Sequence, residues 1–185
     1  MRGGKLLGQD IRALRNARSM RLEELARGAG KSLGWLSQVE RGISTPSVDD
    51  LQNIARILDV PMSMFFGVAD AAEDEQGLIV RASARRQIGE RDNGLVEALL
   101  SPDLTDDFEV VHSTFLPGAA LGQNRRRATS EVVYLISGKL DVWIEDRHFT
   151  IEAGDSFRIK GSEYRWANPY DDPASAIWVI SPPVY

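Results

Sequence analysis

"ELARGAGKSLGWLSQVERG", residues 24–42, decides the first half of the fold. Leu25 and Ala26 mark the apolar side of a short helical segment, Gly30 interrupts it, and Leu36 and Val39 resume the period on a second segment. A small residue at Ala26 permits close helix approach, and Gly30 has the backbone freedom that a sharp turn needs. Ser32 stands where a hydroxyl accepts from the free amides of the next turn. Upstream, Leu6, Leu7, Ile11 and Leu14 keep the 3.6-residue period. Downstream, Val48, Leu51, Ile54, Ala55 and Leu58 keep it too, with Ser47 as a second N-cap. Breaks at "NARSM", "GAGKS", "RGISTPS" and "DVP" divide residues 1–66 into about five short helices, the last around "MSMFF".

After Phe66 the pattern changes. "GVADAAEDEQG", residues 67–77, is small, acidic and aperiodic, and reads as a linker. Residues 78–185 then give short β-rich runs such as "FEVVHSTF", "EVVYLIS", "KLDVWIED" and "SAIWVI", separated by "LPGA", "SGK", "EAGD" and "NPYDDP". Strands at this spacing predict an antiparallel sandwich or barrel.

The net charge of −5 hides an asymmetry. Residues 1–66 hold 10 Lys+Arg against 7 Asp+Glu, and residues 67–185 hold 12 against 20. A basic head on an acidic body is expected when only the head meets phosphate. With no cysteine, disulfides and thiolate chemistry are excluded. No apolar run reaches the roughly 18 residues of a membrane span, and the N-terminus has no apolar signal region, so a cytoplasmic protein is expected.

Residues 6–66, with "LSQVERG" and "STPSVDDLQNIARILDVP", resemble the phage Cro/C1-type helix-turn-helix family, a lambda-repressor-like bundle. In that family the second helix of the pair lies in the DNA major groove. The resemblance makes Ser32, Leu33, Gly34, Trp35, Ser37 and Gln38 candidate contacts, and Gln38 the best base reader, since its amide pairs bidentately with adenine. Leu33 and Gly34 depart from the family's polar pattern and suit only a thymine methyl or the sugar-phosphate surface. Arg15, Arg21, Lys31 and Arg41 are the candidate phosphate contacts, which fix register without reading sequence.

The run from Pro117 to Pro183, with "PGAALGQNRRRATSEVVYLISGKLDVWI" and "IEAGDSFRIKGSEYRWANPYDDP", resembles the cupin family of jelly-roll barrels. Glu131 with Gly138, and Gly154-Asp155 with Asn168, match its two motifs. The implied architecture is a two-domain α + β chain: an all-α helix-turn-helix bundle, then an all-β barrel. Metal-binding cupins hold their ion at positions that are Arg125, Arg127, Glu131 and Tyr164 here. Arginine stays protonated and has no lone pair for a cation, so no metal and no cofactor are expected. His112 and His148 fall on no ligand position.

In an extended segment Arg125 and Arg127 share a face, which the family register turns inward. Three readings of "GQNRRRATS" stay open: an anion site, a structural charge cluster with Glu131, or an exposed loop. Trp143, Tyr164, Trp166 and Trp178 add a fourth, an aromatic cage for an amine. The resemblance implies a homodimeric regulator that binds a double-stranded DNA operator. Its cupin domain binds a small-molecule effector, anionic in the sharper reading, at Arg125, Arg127, Glu131, Tyr164 and Trp166. The alternatives are a metal-independent cupin enzyme and a constitutive repressor whose barrel only dimerises.

Overall fold

A computed structural model describes residues 2–65, 74–75, 77–88, 94–102, 104 and 106–184, the side chains of 2–6 and 63 excepted. Four helices come first: α1 (Arg2–Ala17), α2 (Leu22–Gly28), α3 (Leu33–Glu40) and α4 (Val48–Leu58), followed by a 3₁₀ turn at Met62–Phe65. Ser32 caps α3 by accepting from Trp35 N–H at 3.1 Å, and Ser47 caps α4 by accepting from Asp50 N–H at 3.2 Å. Every predicted break holds one residue of positive φ: Ser19 (51°), Gly30 (66°), Gly42 (69°) and Asp59 (51°). At Gly30 the turn is closed by two amides, Lys31 N–H on Ala26 O at 2.9 Å and Gly30 N–H on Arg27 O at 3.1 Å. This pairing satisfies carbonyls that a helix end leaves orphaned. Ile11, Leu14, Leu25, Leu36, Val39, Ile54, Leu58 and Met64 form the core beneath the four helices.

The expected linker at 67–77 lies mostly outside the described residues. The strands are β1 (Arg86–Ile88), β2 (Leu95–Leu99), β3 (Glu109–Phe115), β4 (Ser130–Ser137), β5 (Lys139–Ile144), β6 (Arg147–Glu152), β7 (Ser156–Lys160), β8 (Tyr164–Ala167) and β9 (Ala174–Ser181). They form two antiparallel sheets, one in the order β1-β2-β3-β9-β4-β7 and one in the order β6-β5-β8. The sheets face each other: Phe115 of β3 meets Trp166 of β8 edge-on at 4.7 Å. The chain crosses between sheets after β4, β6, β7 and β8. At the first crossing Gly138 has φ 77°, and a Cβ there would sit 2.7 Å from Ala174 Cα, so only glycine fits. At the last, the buried Asn168 amide donates to Phe115 O and Asp172 O, both at 2.9 Å, and fixes the corner. The motif residues Gly138 and Asn168 are thus architectural.

The helical and stranded parts touch. Arg86 of β1 reaches back to Asp10 of α1 at 2.8 Å and donates to Met64 O at 3.3 Å.

Candidate functional site

On α3, Leu33, Gly34 and Gln38 are exposed, and a Cβ on Gly34 would meet nothing within 4 Å. The helix therefore presents its first turn to solvent as an unobstructed surface. Gln38 is oriented rather than loose: its Oε1 accepts from Ser44 Oγ at 2.9 Å. The second lone pair of that oxygen and the whole amide nitrogen stay available. Ser44 and the exposed Ile43 beside it were not expected from the sequence; an isoleucine in the polar loop "RGISTPS" was the available signal. Trp35 and Ser37 are half-buried, and Lys31 Nζ lies 5.0 Å over the Trp35 ring.

Among the four expected phosphate contacts, Arg21 and Arg41 are exposed, and Arg41 Nε donates to Ser37 O at 3.1 Å. Lys31 pairs with Asp50 at 2.7 Å and holds its carboxyl below the ordinary value, with help from the Ser47 hydroxyl and amide. An ion pair this near the surface is worth about 0–1 kcal/mol, so phosphate can compete for the lysine. Arg15 is a correction. Its Nε and Nη2 donate to the two carboxylate oxygens of Glu40 at 2.7 and 3.0 Å, and Nη1 donates to Met20 O at 2.8 Å. With side-chain exposures of 11% and 7%, this pair ties α1 to α3 and commits three of the five guanidinium N–H groups inside the protein. The two helices are close elsewhere along this seam too: an added Cβ on Gly8 of α1 would fall 2.2 Å from Val39 O of α3.

In the second sheet region the alternation predicted for "NRRRATSE" is present. Arg125, Arg127, Thr129 and Glu131 turn inward, whereas Arg126, Ala128 and Ser130 are exposed. Arg125 is held on the free edge of β8, its N–H donating to Tyr164 O at 2.8 Å and its O accepting from Tyr164 N–H at 2.9 Å. Reading the whole run as an exposed loop is therefore wrong for Arg125 and Arg127. They line a pocket with Glu97, Tyr164, Trp166 and Trp178, whose open space, mouth included, is about 320 Å³.

Three of the five expected pocket side chains carry charge and one a phenol. Burial first, then the Glu131 charge, push the Tyr164 hydroxyl up to about 12, against the pull of Arg127 and Arg125. Tyr164 is therefore a neutral donor at any ordinary pH. Glu131 is fully buried and is not among the lining residues, with Oε1 accepting from Thr129 Oγ1 at 2.6 Å. Glu97 and Ser113, bonded at 2.9 Å, were missed by sequence reasoning. A carboxylate in the apolar run "LVEALL" was the signal. The four-aromatic cage is not formed: Trp143 instead stacks on His148 at 4.7 Å and lies 3.7 Å from the Arg165 guanidinium. His112 bonds Ser175 Oγ at 2.9 Å, away from the pocket.

The donor set does not fit a metal. Two guanidiniums and a protonated phenol occupy three of the four positions the cupin resemblance names, and they offer no lone pair comparable to imidazole. Among the described residues no three His, Asp or Glu side chains gather to hold an ion.

A helix-turn-helix family model matches residues 11–65, and a cupin-domain model matches residues 111–180. The HTH-type transcriptional regulator SutR of Escherichia coli is 26% identical over 161 residues, which are 84% of this chain and 82% of that one. The HTH-type transcriptional regulator SinR of Bacillus licheniformis is 33% identical over 69 residues, 37% of this chain and 62% of that one. An RmlC-like cupin from Shewanella frigidimarina shares the fold over 57% of this chain and 91% of that one, with 20% identity and a TM-score of 0.50. The chain thus carries a helix-turn-helix domain followed by a cupin domain, and over most of its length it resembles a DNA-binding transcriptional regulator.

Proposed function

We propose that the regulator binds its operator as a homodimer through α3, and that an acidic small molecule held by Arg125 and Arg127 alters that binding. One observation carries the sensing part: two inward arginines line a pocket on a chain whose other domain is a DNA-binding one. The planar fork of arginine suits carboxylate or phosphate. A route to the DNA also exists. Glu97 in the pocket is the register partner of Ile88 on β1, and Arg86 on the same strand grips Asp10 of α1. Helix α1 in turn abuts α3 at Gly8.

The dimer reading is supported by the outer face of the six-stranded sheet, where Val132, Tyr134, Ile136 and Val179 are exposed together. A self-complementary apolar face suits two-fold pairing, and two heads double the operator contacts. The same face favours the constitutive repressor as second reading. An enzyme would need a base in the pocket; Tyr164 stays protonated at neutral pH, which leaves the Glu97 carboxylate among the lining residues.

Thermal-shift screening of carboxylates, phosphates and amines, followed by operator titration with each hit, tests the proposal. An acid should raise the melting temperature and change operator affinity by about 5–150-fold. Joint Arg125→Ala and Arg127→Ala replacement should abolish both effects. A hit that stabilises the protein and leaves operator affinity unchanged favours the constitutive reading. For the DNA face, Gln38→Ala should cost about 1–3 kcal/mol on the operator and nothing on random DNA. Equal losses on both would remove Gln38 as a reader.

A further inference from the structure

Two buried polar atoms on the inner face of the large sheet have no hydrogen-bond partner among the described residues: Glu131 Oε2, an acceptor, and Trp178 Nε1, a donor. They are neighbours. Glu131 is paired with Ile180 and Val133 with Trp178, so Glu131 and Trp178 are diagonal cross-strand residues on one face. Diagonal pairs lie about 7–8 Å apart at Cα, near enough for one small group to reach both side chains. Trp178 lines the pocket, and Tyr164, which also lines it, feels the Glu131 charge. Leaving a buried donor or acceptor unsatisfied costs about 1–3 kcal/mol, so the site favours a ligand that corrects both.

The chemistry of the two atoms narrows that ligand. A carboxylate would accept from Trp178 and repel Glu131. An ammonium would donate to Glu131 and leave the indole N–H without an acceptor. A hydroxyl accepts once and donates once, and one such group satisfies both. The planar guanidinium forks of Arg125 and Arg127 in the same lining suit an acid group. We infer that the effector is a small hydroxylated acid, its acid group on Arg125 and Arg127 and one hydroxyl bridging Trp178 Nε1 and Glu131 Oε2. This rests on the reading of the pocket as the effector site.

Matched probes test it on the full-length protein by calorimetric titration: malate, succinate and aspartate, then lactate, propionate and alanine. Each set presents hydroxyl, hydrogen or ammonium at one carbon. The hydroxy acid of a set should bind about tenfold or more tightly than its deoxy counterpart, the worth of one buried hydrogen bond. Trp178→Phe should erase that preference without weakening the deoxy acid. Glu131→Gln, which exchanges the acceptor at Oε2 for an amide donor, should do the same and covers the case in which Trp178→Phe fails to fold. Equal binding of hydroxy and deoxy acids would overturn the inference and indicate that water alone bridges the two atoms. Preference for aspartate or alanine would overturn it in favour of an amine. Those outcomes leave the effector-site reading intact. If no acid of either set binds, both readings fall.

Discussion

On α3, Leu33, Gly34 and Gln38 share an exposed surface because they are close in sequence and one helix carries them. In the pocket, Glu97, Arg125, Tyr164 and Trp178 meet although they come from four separate stretches of chain. The first surface depends on local rules: a serine cap, a left-handed turn residue and a 3.6 period. The second depends on register between strands, where a slip of one residue would turn every side chain to the opposite face. The comparison teaches that the DNA face should tolerate distant change, while the pocket should respond to it. That difference is what the proposed pairing of a sensing domain with a DNA-binding one requires.

The largest effect should come from breaking the packing beneath the reading helix. Gly8→Ala places a Cβ 2.2 Å from Val39 O, and backbone must move to admit it. The substitution should cost about 3 kcal/mol of stability in chemical denaturation. Loss of under about 1 kcal/mol would show that α1 and α3 are less tightly apposed than described.

Two arginines of the head sharpen the distinction between holding α3 and touching DNA. Arg15→Ala strands a buried Glu40 and should lose about 3 kcal/mol of stability. The folded fraction should keep its salt dependence of DNA binding. Arg41→Ala should leave stability within about 0.5 kcal/mol. It should weaken operator and random DNA alike and reduce the salt slope by about 1. Reversal of the two behaviours would return Arg15 to the phosphate contacts.

The next prediction strikes the junction between the regions. Arg86→Ala removes the contact with Asp10 while touching neither α3 nor the pocket. The effector should still bind, and its influence on operator affinity, about 1–3 kcal/mol in the parent, should fall toward zero. Operator titration with and without a bound acid measures this directly. An undiminished influence would place the coupling elsewhere.

The smallest effect concerns pH. Burial, reinforced by the Arg85 charge, lowers the His112 imidazole below its ordinary value. The folded state thus prefers neutral His112. Its contribution is complete above the unfolded value of about 6.5 and is lost as pH falls through the lower folded value. In the head, Asp50 is also lowered, so its contribution persists until pH falls below about 4. Between pH 7 and pH 5 the melting temperature should therefore fall through the sheet region, and His112→Gln should reduce that fall. An unchanged fall in His112→Gln would assign it to another group.

Much of this molecule was legible before any coordinates. Four of the expected five helices (the last, at "MSMFF", is a 3₁₀ turn), the caps at Ser32 and Ser47 and the strand-rich second half follow from periodicity and turn chemistry, which act over a few residues. The inward aim of Arg125 and Arg127 followed from strand alternation together with the register that the cupin resemblance implied. The failures share a cause. Arg15 looks like any basic residue on a helix until Glu40, far along the chain, is folded against it. Glu97 looks like a stray charge until β2 pairs with β3 and places it beside Ser113. Trp143 and Trp178 are equal candidates by sequence, and only the face that strand register gives each side chain separates them, as Trp166 of Trp143's own sheet shows by turning into the pocket.

The sequence by itself determined the local matters: which segments are helix or strand, where each helix stops, and that imidazole and thiolate are missing from the positions where cupins bind metal. Tertiary structure alone decided which charges are neutralised and which polar atoms are left over. Helix caps and strand alternation are fixed by backbone geometry within a turn or two. Whether Arg15 meets a carboxylate, or Glu131 Oε2 and Trp178 Nε1 go without a partner among the described residues, is fixed by contacts between segments that the chain brings together only on folding.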